Sequence, residues 1–529
     1  MSDDMAIDDN MAEAPAAAVN PNNFGDDEDD LDDTPLFVGE GDAVEVAVDD
    51  TVPMDDDDDD MNDPEEDQPS APVVDMARFV LGAHKDAVYA VASAITTDGR
   101  LCLVSGGGDD KAYWHDIALA QQQPQQPIVP ITTPLESHYA FQDSVSAVAS
   151  NYPFIGFDTT KPPNDAWMAT GGLDGSIVLF RREMNGANGG AAVKTQTLEG
   201  PSSDIEWLCW HPKGGNVLLA GSSDATIWMY HTTLKKCLQV FVGHEDAVTC
   251  GSFSADGKVA LSASADGTVR IWGPKVGKCK HVFRFADPKA GPPPALTCMA
   301  IQQQSLEGST GDAAQLIMVG SEDGQAHVCH VANKRHVTSL RHFDPTQHTN
   351  TSSTMGGEDE EEEVFLPSGV EAVGFCQSNP NWCATGGMDG VLKIWDLSNQ
   401  GCRHSCRVHT PNPATTSSPP DTSLTPEQPQ TQAAPRGDGI TQLQWHPTLP
   451  LVITSTCRGQ VHLWDARNGQ LLQTLTGHTD VINDMNVSFV PPVAPSVAGH
   501  AIIVTASDDK TVRIFDLDMD AAILQQQQQ

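Results

Sequence analysis

The sequence predicts an all-β fold, a β-propeller of four-stranded blades closed into a ring, and three observations predict it. Gly-His pairs recur near the start of a repeating unit, as at Gly243-His244 and Gly477-His478. Each unit also carries an Asp-type turn followed by a short strand that ends in a Trp-type residue. The copies recur at about 40–45 residues, the period of a propeller blade. The best-formed copy runs from Phe241 to Trp272, FVGHEDAVTCGSFSADGKVALSASADGTVRIW. Its β-branched and aromatic runs are broken by Asp256-Gly257 and Asp266-Gly267, the pattern of antiparallel strands joined by tight turns.

Eight such copies follow in order. Copy one opens at Gly82-Ala83-His84 and closes at Ser105–Asp116; copy two has Phe141 where the His belongs and closes at Thr170–Phe180. Copy three is carried by Ser203–Pro212 and Leu218–Tyr230, and copy four is the stretch quoted above. Copy five runs to Val319–Val328, copy six from Val370–Cys376 to Thr385–Asp396, copy seven from Gly439 to Asp465, and copy eight from Gly477 to Asp516. Eight copies imply eight blades. Copies two, five and seven are the most degraded, which keeps seven blades as the alternative count. The orphan strand Phe79–Leu81 precedes copy one and is expected to complete the last blade's outer edge, so that only short, protected edges remain.

Outside the propeller, 78–517, the sequence predicts two tails and several inserts. Residues 1–77 hold 28 Asp and Glu and no Lys or Arg, including the run Asp55–Asp60. They have too little apolar surface to offset ordering entropy and are expected to be disordered. Residues 518–529 read as a Gln-rich tail. Inserts at Pro288–Pro294, 344–366 and 410–436 all fall between the last strand of one blade and the first of the next, which places them on the rim of the Gly-His loops.

Net charge is −44, and beyond residue 77 there are still 45 acids against 29 bases. Such a field repels nucleic acid and anionic membrane and steers basic proteins inward. Twelve cysteines without a Cys-x-x-Cys fit a reducing compartment. With no signal-type or membrane-length apolar run, the expectation is a soluble monomer in the cytoplasm that can also visit the nucleus.

His244, Ser262 and Asp266, which fall with Trp272 in one copy, have the residue types of a catalytic triad. A triad occurs once, beside an exposed nucleophile, whereas similar sets recur as His84, Ser105, Asp109 and as His478, Thr505, Asp509, with Asp389 and Trp395 in copy six. Recurrence means architecture: buried polar groups that pair one another inside a blade. Cys402, His404, Cys406 and His409 resemble a zinc cluster, but their spacing departs from zinc sites, and an edge strand with incidental cysteines is expected, with no metal and no cofactor. Neither a phosphate loop nor a unique nucleophile–base set is present, so an enzyme is disfavoured.

What remains is surface. The residues opening each first strand, and those just before each turn Asp, are expected to ring one mouth of the central channel. They bring Tyr89, Glu206, Trp207, Glu322, Glu371 and Asp508 together with Asp143, Asp246, Asp438 and Asp480 from the joints, and no Lys or Arg. An acidic ring with Tyr89 and Trp207 suits an Arg/Lys-rich peptide held by charge-assisted bonds and cation–π contact.

The repeats resemble the WD-repeat family. The runs GGGDDKA, DIEWLCWHP with VLLAGSSDATIWMY, VEAVGFC and RGQVHLWDARNGQLL resemble, more specifically, the angio-associated migratory cell protein family and its fungal counterpart. That resemblance implies a dedicated chaperone that captures the basic N-terminal segment of a large-subunit ribosomal protein during 60S assembly. The alternative is a scaffold or adaptor in signalling, cell migration or ubiquitin ligation.

Overall fold

Short runs opening on Val, Ile or Leu and ending at an Asp-type turn pair with their sequence neighbours, so local hairpins build the whole architecture. The computed structural model describes residues 74–95, 100–118, 131–134, 141–151, 167–185, 190–213, 216–285, 292–302, 315–343, 368–408, 438–490 and 500–526. The chain divides into two units, Met1–Ser70, where no residue is described, and Ala71–Gln529, which holds everything below. Its strands form eight four-stranded antiparallel sheets, the eight blades. First strands lie innermost and touch in order around the ring, with Val88–Ile95 of blade one against Ile482–Val490 of blade eight. Each copy therefore spans two blades. The outermost strand Lys236–Val242 belongs to blade three, while the rest of that copy, through Trp272, builds blade four.

Because both faces of a blade pack on neighbours, the core is divided into eight buried clusters, one between each adjacent pair. Trp114, Phe141 and Met168 fill the wedge between blades one and two, and Phe241, Val248 and Trp272 the wedge between three and four.

Phe79–Leu81 closes the ring as expected, pairing antiparallel with blade eight from Phe79↔Ile514 to Leu81↔Val512. Charges reinforce the join: Arg78 meets Asp516 at 2.5 Å, and Arg513 bridges Asp75 at 3.3 Å and Asp509 at 2.5 Å. On the inner side Asp484 accepts a hydrogen bond from the Val91 amide at 2.9 Å, and Ser93 donates to Asn486 at 2.7 Å.

In blade four the indole of Trp272 donates to Ser262 Oγ (2.8 Å), which donates to His244 Nε2 (2.7 Å). His244 Nδ1 then donates to Asp266 (2.9 Å), which also accepts from the amides of Glu245 and Thr268. His84 joins Ser105 and Asp109 in the same way, and His478 joins Thr505 and Asp509. Blade six has a fourth set, of which the sequence reading named Asp389 and Trp395 but neither His342 nor Thr385. Trp395 donates to Thr385, which bonds His342 at 2.6 Å, and His342 reaches Asp389 at 3.3 Å. His342 escaped notice because residues 344–367 separate it from the rest of its copy. In blade seven no such His is found among the described residues; Asp438 accepts the Arg458 amide at 3.0 Å where an Asp would have closed the turn.

Several expectations need correction. The chain joins the propeller at Val74, whose carbonyl accepts from Thr476 Oγ1 at 2.6 Å, rather than at residue 78; the rest of the expected tail, 1–73, lies outside the described residues. Residues 519–526 form a helix capped by Asp518, with Met519 and Ile523 against the cluster between blades seven and eight. The three inserts fall at the joints named, but 286–291, 344–367 and 409–437 lie outside the described residues. All three lie between a last strand and the next first strand, as expected, but long links also occur at a second kind of joint. The links Ser150 to Trp167, Ile301 to Leu316 and Val490 to His500 join first to second strands.

Replacing Asp266 with Ala strands His244 and two amides and should cost about 2–4 kcal/mol, read as a shift in the urea midpoint. Asp246→Asn, at an exposed joint, should stay within about 0.5 kcal/mol. Leu81→Ala, in the closing strand, should cost about 2–3 kcal/mol, against almost nothing for exposed Val80→Ala. Acid should destabilise the ring in two stages. Burial lowers His84 and His478 and pushes His327 and His462 down to about 4 from 6.5. They stay neutral in the fold while the unfolded chain protonates, so their contribution is present above pH 6.5 and is lost as pH falls below it. Burial alone would raise Asp266 and Asp509, but hydrogen bonds from His and Thr outweigh it and hold both below the usual carboxylate range. Their contribution is present above about pH 4 and lost below it. Melting temperatures at pH 7, 5 and 3.5 should fall at each step.

Candidate functional site

The mouth is built from one backbone irregularity repeated around the ring. In seven blades the pairing of first and second strands skips one residue, a β-bulge, and the skipped residues are Tyr89, Ser146, Glu206, Thr297, Glu371, Thr441 and Asn483. Thr249 holds the equivalent place just before the short first strand of blade four. A bulge turns its side chain out of the alternation and re-aims it. Opposite each bulge, the residue before the turn Asp is pinned by one repeated hydrogen bond. The amides of Gly108, Leu173, Ser223, Ala265, Glu322, Met388, Cys457 and Asp508 donate to the carbonyls of Ala87, Ser144, Asp204, Ala247, Ala295, Gly369, Gly439 and Val481. The two sets of positions are thereby fixed beside each other in all eight blades.

At four of these eight positions the side chain is engaged in holding blades together. Ser146 donates to the Ile205 carbonyl (2.5 Å), Thr249 to Leu296 (2.6 Å), Thr297 to Val370, and Asn483 to Val88 (3.0 Å), each the first residue of the next blade. Asn483 also bonds Asp508 at 2.7 Å. Glu206 and Glu371 have no proton to give when ionised. In blade three the neighbouring Trp207 takes over, its indole donating to the Val248 carbonyl at 3.0 Å. Trp207 therefore is not a contact residue of the mouth, contrary to the sequence reading. It is buried, laid across Gly221 and Gly251, where an added Cβ would stand 2.1–2.2 Å from the ring. Its bond to Val248 leaves Glu206 exposed.

The mouth thus presents Tyr89, 40 % exposed, with exposed Glu206 and Glu322 and half-buried Glu371 and Asp438. Burial raises Glu206, and Asp204 adds to it; burial raises Glu371, and Glu322 adds to it. Asp438 is raised by burial despite its bond from Arg458. These carboxylates are poorly neutralised by the protein itself. Asp143, Asp246 and Asp480 are exposed, and each spends one oxygen on the following amide at 2.7–2.8 Å. Met388, 45 % exposed, packs beside Gly439 with Cys457.

The other candidates do not gather. The tetrad residues stay inside the blades. In Gly401–Arg407 a bulge between Cys402 and His404 breaks the shared face; Cys406 is buried, and His404 bonds the Arg467 carbonyl at 3.0 Å. His409 lies outside the described residues, among which no three His, Cys, Asp or Glu side chains form a metal-ligand set.

Comparison with known proteins agrees with this architecture. The family described as WD domain, G-beta repeat matches residues 192–231, 235–273, 367–396, 428–465 and 469–516. Angio-associated migratory cell protein of Homo sapiens is 29% identical over 441 residues, 83% of this chain and 80% of the relative; the Canis lupus familiaris protein gives the same figures. Among solved structures, Saccharomyces cerevisiae Sqt1 superposes with a TM-score of 0.60 at 17% identity, covering 84% of this chain and 99% of that one. Chaetomium thermophilum Sqt1 bound to the N-terminus of ribosomal protein L10 gives 0.56 at 16%, covering 84% and 100%. The chain carries WD repeats and folds as an eight-bladed propeller, similar over most of its length to angio-associated migratory cell protein.

Proposed function

We propose that this protein is a non-catalytic chaperone that captures the basic N-terminal segment of a large-subunit ribosomal protein at its acidic mouth during 60S assembly. The observation that carries the reading is the bulge ring. Where four blades spend the side chain at this position on the next blade, Glu206 and Glu371 face the opening with Tyr89 of blade one. Burial and a neighbouring carboxylate raise both groups, and an incoming cation offsets that repulsion, restores the charged form and forms charge-assisted hydrogen bonds with it. The similar fold of Chaetomium thermophilum Sqt1, solved with the N-terminus of a ribosomal protein, supports the choice of partner. The proposed workplace is the cytoplasm, on newly made ribosomal protein, with the chaperone as a monomer.

Binding of an Arg/Lys-rich N-terminal ribosomal-protein peptide should weaken at least about tenfold between 50 and 500 mM salt, measured by titration calorimetry. Glu206→Lys with Glu371→Lys should reduce it at least about 100-fold without lowering the melting temperature. Unchanged affinity in that double variant would sink the reading. A pull-down that returns actin-linked or membrane partners and no ribosomal protein would favour the scaffold alternative.

A further inference from the structure

The outer belt of blades three to six has the opposite chemistry from the mouth. Residues 232–242, 274–285, 331–343 and 397–408 hold eleven Lys and Arg and no Asp or Glu, in a chain where about one residue in seven is acidic. These stretches are the outermost strands and the turns leading into them. They are continuous around the edge. Gly277 of blade four packs on Gln239 of blade three, Lys334 of blade five donates to the Lys280 carbonyl of blade four at 3.2 Å, and Thr338 of blade five bonds Gln400 of blade six at 3.2 Å.

The strands repeat one register. The next-to-last residue, Phe241, Phe283, Leu340 or Cys406, is buried and anchors the strand. A bulge skips the third residue in the pairing of each strand; that residue and the last are exposed in all four strands, and the first in three. The first positions are Lys236, Lys278 and Arg335; the last are Val242, Arg284, Arg341 and Arg407; the third are Leu238, Lys280, Val337 and Arg403, so aliphatic and basic side chains alternate from blade to blade. Leu234, Leu238, Val242, Val276 and Val337 are 42–71 % exposed. Among the described residues Lys236, Lys278, Lys280, Arg284, Arg335 and Arg341 have no carboxylate partner. An exposed strand edge with unpaired bases and large aliphatic side chains is an unsatisfied surface.

We infer that this belt is a second docking surface, for an acidic protein segment that carries aliphatic side chains. Charge complementarity sets the sign of the partner, and Leu234, Leu238, Val242, Val276 and Val337 set its aliphatic character. RNA is the poorer fit. Single-stranded nucleic acid is held by aromatic stacking as well as charge, the exposed large apolar side chains of the belt are all Leu or Val, and the protein's overall field is negative. The belt and the mouth lie apart on the ring, so the acidic segment and a basic segment can be held together without sharing a residue.

The test uses the full chain and a fluorescein-labelled 14-residue peptide alternating Glu with Val and Leu, read by anisotropy. Lys278→Glu with Arg335→Glu should weaken its binding at least about tenfold, and Leu238→Ala with Val337→Ala about threefold, with melting temperatures unchanged. Neither pair should move binding of the basic ribosomal peptide by more than about twofold, which separates this surface from the mouth whatever becomes of the mouth's proposed partner. The inference is overturned if the charge-reversed protein binds the peptide as well as the parent does. It is also overturned if a Glu-Ser peptide of equal charge binds equally well, or if an oligo-uridine of equal length or vesicles of phosphatidylserine bind more tightly and lose that binding in Lys278→Glu with Arg335→Glu.

Discussion

Everything in this molecule depends on eight wedges being held in a closed circle. A blade has no core of its own: Phe241 and Trp272 are buried only because blades three and four face each other, and the same holds for each of the eight clusters. Removing one interface exposes two sheet faces. That makes the join between blades eight and one the constraint on all the others, and it is the most heavily furnished. Backbone pairing of Phe79–Leu81, the Arg78–Asp516 and Arg513 ion pairs, and the half-buried Asp484 carboxylate on the Val91 amide all act there. Repeat architectures with nearest-neighbour packing tolerate weak units inside the array far better than an open end.

That tolerance explains the degenerate copies. Blade three has Ala220 and Pro201 where blade four has Ser262 and His244, and blade five has Val319 and Cys329 for Ser262 and Trp272. Polar partners have been exchanged for apolar ones together, which leaves few buried groups unpaired. Tyr230, in the Trp position of blade three, is an exception: its hydroxyl is buried without a partner.

The fold was legible from the sequence because its signals are local. Asp-Gly turns, two-residue alternation and the Gly-His spacing each report on a neighbour a few residues away, and the orphan strand Phe79–Leu81 could be assigned by subtraction. Signals carried across blades were not legible. Trp207 looks like a surface aromatic beside Glu206 until Gly221 and Gly251, on two different blades, are seen to make a slot for it. His342 could be joined to Thr385 and Asp389 only across the intervening residues. The helix 519–526 follows from Met519 and Ile523 finding apolar surface between blades, which a glutamine-rich composition does not reveal. For the mouth, sequence alignment located the positions, but the bulge that turns them sideways, and the carbonyls that engage four of them, come only from the ring.

The closing strand has a consequence for how the protein is made. A chain emerging N-terminus first delivers Phe79–Leu81 before any blade exists, and its partner Val512–Ile514 comes more than 400 residues later. At synthesis rates of roughly 5–20 residues per second, that strand waits tens of seconds without a sheet to join. Meanwhile the inner face of blade one has nothing to meet on one side. Contacts at such separation are slow to form and leave apolar surface open to other chains. The folding of this propeller is therefore completed in a single late event, and the partly made ring is the form most exposed to aggregation and most dependent on help from other proteins.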